Sequence, residues 1–395
     1  MSAVSDPHVI CFLSSKGGSG KTVTSSALAT FLSALGFSVL MIDADASTNG
    51  LTLLFLEQLI GKARRTDDSV GIFEAHKTGS APNAVAITDK LRIVPAAYRM
   101  QQTQEYPIEE FERALLSVID AGSSEDFILI DAQAGSDKYA RIAASLSDAH
   151  ILVSEYDPVS SQGLDRLKVL FAEVLTPSNT WTLFNKILPE LAKAIGEGLA
   201  VARYLPPITW DADVVRAFSR RDLAVNMDVP NAYTFSISEV ALAVAPDTTG
   251  DSIEDWRRSV IESATNPMKS RLDELKTTKD RLIYQSKKRR TFRGFMQIFP
   301  QIIGIPVIFI LYIFKITESD LTLSIVMFVL AISAISGRYG QIDDEGNALR
   351  DVLKEIEALS ANIAASEALA SKSDGIFSRI RRDKSRMDRG SIPAE

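Results

Sequence analysis

At 395 residues the chain is longer than one ordinary domain, so a core domain with an addition is the expected plan. Its 46% hydrophobic and 24% charged content is that of a globular protein, and a net charge of -7 excludes a global drive toward nucleic acid. A single cysteine, Cys11, excludes an intrachain disulfide and reads as a small core side chain in a reducing compartment.

The opening MSAVSDPHV has neither a basic stretch nor an apolar core, which predicts no signal peptide. Strand-like runs then alternate with helical ones: HVICFLSS, TVTSSALATFLSALG, SVLMIDAD, and later FILIDAQ, AHILVSEY and WTLFNKI. This rhythm predicts an α/β fold, a mostly parallel central sheet with helices on both faces. FILID is apolar on both faces, as a central strand requires. Further helices are expected at 107–121, 137–147, 160–174 and 211–220, while 62–90 and 225–250 read as loops open to partners. After Ser252 the spacing to Asp255 predicts a capped final helix. Asn266 as cap and Pro267 in the first turn then predict a restart into a helical stalk, MKSRLDELKTTKDRLIYQSKKRR.

Two apolar runs follow, 294–316 and 321–336, parted only by TESD. The first reaches the roughly 20 residues that cross a bilayer, and the second, at 16, needs Gly337 and Tyr339 to extend it. Together they predict a transmembrane hairpin. Lys287, Lys288, Arg289, Arg290 and Arg293 precede it, whereas the connecting loop offers Lys315 against Glu318 and Asp320, so the positive-inside rule puts both chain ends in the cytoplasm. Two other arrangements fit the same residues: a buried hairpin in a soluble domain, or one that Pro300 and Pro306 break so that it enters a single leaflet. Beyond it, Leu349, Val352, Ile356, Leu359 and Ile363 recur at alternating spacings of three and four. That seam suits either a coiled coil with Met268, Leu272, Leu275 and Leu282 or an amphipathic helix on the first domain. The tail mixes Ile376, Phe377 and Ile380 with Arg379, Arg381, Arg382 and Lys384, a segment for anionic lipid or for solvent.

Chemistry concentrates in CFLSSKGGSGKTVTSS. In a Walker loop G-x-x-x-x-G-K-[ST], backbone N–H groups wrap the phosphates, the lysine neutralises the outer ones and the hydroxyl binds magnesium. Gly20, Lys21 and Thr22 fill the last three places, after an apolar strand and before a helical run; Ser15 stands in the first. Gly17, Gly18, Ser19 and Val23 complete the expected nucleotide contacts, with Mg2+ as cofactor.

SSKGGSGKT resembles the deviant Walker A loop, K-G-G-x-G-K-[ST], of the ParA/MinD ATPases. The resemblance implies a homodimer closed around ATP, in which Lys16 reaches the phosphates held by the partner and Lys21 acts within its own subunit. LMIDADASTNGLT is similar to the family's first switch, which makes Asp45 the group that polarises the attacking water and Asp43 a support of the magnesium shell. FILIDAQAG is similar to Walker B and the second switch, which makes Asp131 the carboxylate holding magnesium through water and Gly135 the γ-phosphate sensor. LFNKILPE and YLPPITWDADVVRAF resemble the base-recognition strand and its sequel, which puts Asn185, Pro206 and Pro207 at the adenine. The family usually carries prolines where Gln133 and Ala134 stand, so the rate of hydrolysis is where this chain departs.

On this reading 1–265 is the ATPase domain, 266–293 a stalk with a basic flank, 294–337 the hairpin, 338–372 a cytoplasmic helix and 373–395 a basic flexible tail. The expected function is a membrane-anchored ATPase switch, multi-pass in the inner (cytoplasmic) membrane, that dimerises with ATP, touches lipid and engages a protein partner. A regulatory nucleotide-sensing subunit of a membrane complex, in envelope polysaccharide assembly or phage defence, is the alternative. A bacterial tyrosine kinase fits less well, because nothing beyond Tyr339 is tyrosine. DNA is not an expected partner.

Overall fold

The structure, a computed structural model, describes residues 6–63, 70–75, 79–97, 106–191, 204–299 and 347–364. Strand β1 (His8–Leu13) runs into the glycine loop and helix α1 (Lys21–Ala34), and β2 (Val39–Ala44) precedes two short helices, α2 (Gly50–Leu54) and α3 (Leu56–Ala63). There follow β3 (Val85–Ala86), β4 (Leu91–Val94), α4 (Ile108–Ala121), β5 (Phe127–Ala132), α5 (Lys138–Ser145), β6 (Ala149–Ser154), α6 (Pro158–Leu170) and β7 (Thr180–Phe184). Helices α7 (Ala212–Ser219), α8 (Ala232–Val244) and α9 (Asp247–Phe299) complete the list, with α10 at 347–364.

The seven strands lie in the order β3-β4-β2-β5-β1-β6-β7, all neighbours parallel except β3 with β4. Every residue of β2, β5 and β6 is buried, which is why these strands are unbroken apolar runs: helices cover both faces. Alternate side chains feed two cores. Ile10, Phe12, Met41 and Leu129 pack on one side with α1 and α8, and Cys11, Leu13, Leu40, Ile42 and Ile130 on the other with α4 and α5. The parallel order puts the carboxyl ends of β1, β2 and β5 side by side, where ligands bind in open α/β sheets.

Four expectations are corrected. The segment 225–250 is not a loop, since α8 buries Tyr233, Ile237, Val240, Ala241 and Val244 in the core beside α1. A helix buried on so many sides shows no amphipathic period, and that concealed it. The final helix starts at Asp247 and not at a Ser252 cap. It also does not restart at Asn266, because α9 runs through Pro267. An interior proline removes a hydrogen bond and crowds the preceding turn, and here the Thr265 hydroxyl donates to the carbonyls of Ile261 and Glu262 at 2.9 and 3.4 Å in that turn. Ahead of the proline, the ring of Trp256 packs edge-on against Phe31 at 4.9 Å and fixes the helix to the core. Helix α6 likewise begins two residues earlier than expected, because Asp157 caps it by accepting from the Ser160 N–H at 2.9 Å.

The described residues divide into two compact units between Val260 and Ile261. In the second, Leu275 of α9 and Ile363 of α10 are buried, and Arg271 meets Glu355 at 3.2 Å, which sets α10 beside α9. Leu349, Val352, Ile356 and Leu359 are the half-buried positions of α10, so the spacing of three and four marks its covered face. Among the described residues no helix is long and apolar enough to cross a membrane. The hairpin beyond residue 299 and the tail 373–395 lie outside the described residues.

Candidate functional site

Where β1 ends the chain must turn sharply and offer amides, and glycine allows it. Gly18 and Gly20 have φ of +83° and +96°, and a Cβ on Gly20 would stand 2.2 Å from the Asn185 amide nitrogen. Gly20 then caps α1, so the N-terminus of that helix points into a cleft of about 560 Å³. Gly17, Gly18, Ser19, Gly20, Lys21, Thr22 and Val23 all line it, as expected.

Lys21 is buried with its ammonium 3.8 Å from Asp131 Oδ1, and the Thr22 hydroxyl donates to Asp131 Oδ2 at 2.6 Å. Asp131 is fully buried and its Oδ1 has no hydrogen-bond donor. Burial raises its pKa, against which Lys21 and Thr22 pull down. A hydroxyl beside a buried carboxylate with an unsatisfied oxygen is a hard-oxygen pair that fits magnesium. Asp43 faces Asp131 in the β2–β5 register; burial and then that charge push it up to about 7. Its oxygens are engaged elsewhere, accepting from the N–H and hydroxyl of Thr52 at 2.8 and 2.6 Å and from the Asp45 N–H at 3.1 Å. Asp43 thus braces the turn that carries Asp45.

Asp45 lines the cleft, and its own turn occupies it. Oδ1 accepts from the Ser47 N–H, the Ser47 hydroxyl and the Thr48 N–H at 2.9, 2.8 and 3.0 Å, and Oδ2 accepts from the Thr48 hydroxyl at 2.6 Å. Burial raises its pKa, yet these donors outweigh it and hold the carboxyl below its ordinary range. Gly135 has φ of +100° and its N–H donates to the Ser14 carbonyl at 2.8 Å, tying the segment after β5 to the end of β1.

The structure does not bring Lys16 into the cleft. Its ammonium stands 3.0 Å from Glu155 and 3.3 Å from Asp157, on the segment between β6 and α6. Asn185 lines the cleft, but its amide nitrogen donates to the Ser19 carbonyl at 2.9 Å, so it meets the phosphate loop. Pro206 and Pro207 do not line the cleft; Ile208, Thr209, Trp210 and Asp211 do. Backbone bonds along β7 cause that offset, with Ile208 donating to Phe184 at 2.9 Å and Trp210 to Ile187 at 2.7 Å.

Sequence reasoning missed the apolar wall. Val214, Val215 and Phe218 of α7 line the cleft with Trp210, although α7 buries none of its residues. Spacings of four, one and three after Trp210, with Asp211 as cap, were the available signal. Lys186 was missed as well, and it sits at the mouth with φ of +60°.

A glycine cradle at a helix N-terminus, a buried lysine and a hydroxyl–carboxylate pair at the carboxyl edge of a parallel sheet define a P-loop nucleotide-binding domain. Comparison with known proteins agrees, since a sequence family described as an AAA domain matches residues 7–181. An uncharacterised ATP-binding protein of Methanocaldococcus jannaschii is 30% identical over 164 residues, 41% of this chain and 57% of that protein. The septum site-determining protein MinD of Buchnera aphidicola is 26% identical over 256 residues, 59% of this chain and 90% of that protein. The MinD of Pyrococcus horikoshii, solved with Mg-ADP, superposes over 62% of this chain and 98% of its own at 22% identity, with a TM-score of 0.48. The chain spans 66% and 57% of two archaeal relatives. The sequence matches support the resemblance to ParA/MinD P-loop ATPases for the N-terminal part of the chain.

Proposed function

We propose that this chain binds ATP with magnesium in the cleft, hydrolyses it, and uses the nucleotide to switch a homodimer that engages a protein partner at a membrane. The observation that carries this is the junction of Lys21 and Thr22 with the buried, half-satisfied carboxylate of Asp131. The loop amides and Lys21 hold the phosphates, and Asn185 lies against the loop. Thr22 and Asp131 would hold magnesium, which when bound would supply charge neutralisation at the phosphate oxygens. Lys16, once it leaves Glu155 and Asp157, spreads positive charge over the partner's phosphoryl oxygens as an arginine finger does. Asp45 orients water when the Ser47–Thr48 turn releases it. Lys21→Ala is expected to weaken ATP binding at least about tenfold in calorimetric titration, the size of one charged hydrogen bond. Unchanged affinity would reject the cleft as the nucleotide site.

The domain plan carries over into this reading: an ATPase domain to 265, a stalk to 293, a hairpin to 337, a helix to 372 and a basic tail. A hairpin in the inner membrane confines the copies to a plane and raises their effective concentration before ATP joins them. Deleting 294–337 is expected to move the protein from the carbonate-resistant membrane pellet to the soluble fraction. Recovery of the full chain in the soluble fraction would remove the anchor. One observation favours the second reading, a sensing subunit whose nucleotide state matters more than turnover: four donors occupy Asp45 in the resting site.

A further inference from the structure

Two successive carbonyls of the phosphate loop are held by the two residues that follow β7. The amide of Asn185 donates to the Ser19 carbonyl at 2.9 Å, and the ammonium of Lys186 donates to the Gly18 carbonyl. A peptide unit is planar and trans, so its C=O and N–H point opposite ways. Holding the carbonyls of Gly18 and Ser19 therefore fixes the N–H groups of Ser19 and Gly20 on the opposite side of the loop backbone, away from Asn185 and Lys186.

The backbone at Lys186 is built for this. Its φ of +60° is unfavourable for a side-chain-bearing residue, and its N–H is fixed by the Asn185 side-chain oxygen at 2.9 Å. The resulting bend carries the side chain back over the loop, where it lines the cleft. Glu155 Oε1 holds the same ammonium at 3.0 Å from the other side, while Glu155 Oε2 holds Lys16. One carboxylate thus steadies both the clamp and the resting lysine.

We propose that Lys186 is a positioning residue that clamps the Gly18 carbonyl, with Glu155 orienting its ammonium, so that the loop amides face the phosphates before nucleotide arrives. This rests on the cleft being the ATP site. Lys186→Gly keeps the left-handed backbone and removes the ammonium, and Lys186→Arg restores a donor and a charge. Titration of the full-length chain with ATP-Mg is expected to show affinity about tenfold weaker for Lys186→Gly, the size of one hydrogen bond to a charged group, and within about threefold of the natural chain for Lys186→Arg. The melting temperature without nucleotide should be as high in Lys186→Gly as in the natural chain. Because the clamp acts on the loop and not on the nucleotide, the salt dependence of binding and the ATP-to-GTP preference, measured by competition, should stay unchanged. An unchanged ATP affinity in Lys186→Gly overturns the clamp. A shallower salt dependence overturns it by assigning the ammonium to the phosphates, and a changed ATP-to-GTP preference does so by assigning it to the base. Absence of ATP binding by the natural chain overturns instead the nucleotide reading beneath it.

Discussion

Lys16→Ala is expected to bind ATP within about threefold of the natural chain while its turnover falls by about 10³ or more, the range that a cation supplied across an interface contributes to phosphoryl transfer. Affinity survives because Lys16 does not line its own cleft. Folding survives because the ion pairs it loses, to Glu155 and Asp157, are made by a solvent-exposed ammonium, and water screens such surface pairs until they add little to stability. What disappears is the charge delivered to a second subunit, so ATP should no longer raise the mass seen by light scattering. Asp157→Asn should act in the opposite sense on assembly, because it removes one of the two anions that Lys16 must leave while its amide oxygen can still cap α6, and the ATP-bound dimer should form at lower protein concentration. Turnover by Lys16→Ala at the natural rate would exclude the role across the interface. Normal dimer formation with lost turnover would confine that role to chemistry.

These expectations show what was legible in the sequence. Strands β1, β2, β5 and β6 announce themselves as short apolar runs because a parallel sheet buries both of their faces, and the glycine loop is fixed by residue types that backbone geometry demands. Strand β3 is only two residues long and carries no period. The caps read at Ser252 and Asn266 are sound local signals that tertiary packing overrides, for Ile253 and Trp256 dock inside what local preference makes a boundary. In the site, Lys21, Thr22 and Asp131 meet as their motifs require. The partners of Lys16 were hidden because Asp157 lies 141 residues away, and no local pattern encodes such a contact. Asn185 and the segment after Pro207 were located to the right neighbourhood, yet register along β7 decides which residues enter the cleft. Trp210, Val215 and Phe218 stay exposed outside any core, so the burial logic that finds strands passes over them.

Asp45→Ala is expected to retain ATP binding, accumulate as the ATP-bound dimer and release phosphate about 10² to 10⁴ times more slowly, the usual contribution of a positioned general base. The structure complicates a simple reading of that variant, because Asp45 is also a turn former whose carboxylate gathers four donors from Ser47 and Thr48. Alanine removes both the charge and the acceptors, and the adjoining Asn49, at φ of +50°, depends on the turn keeping its shape. Asp45→Asn separates the two roles, since one amide oxygen can still accept from the Ser47 and Thr48 N–H groups while the negative charge is gone. If the carboxylate polarises water, the asparagine variant loses turnover as fully as the alanine variant while keeping the melting temperature of the natural chain. If Asp45 serves only to shape the turn, the asparagine variant retains phosphate release and the alanine variant alone loses it. Thr48→Val provides the converse test. It leaves the charge in place and frees Asp45 Oδ2 from its hydroxyl donor, so phosphate release should be at least as fast as in the natural chain. Slower release would show that the turn assists catalysis and does not restrain it.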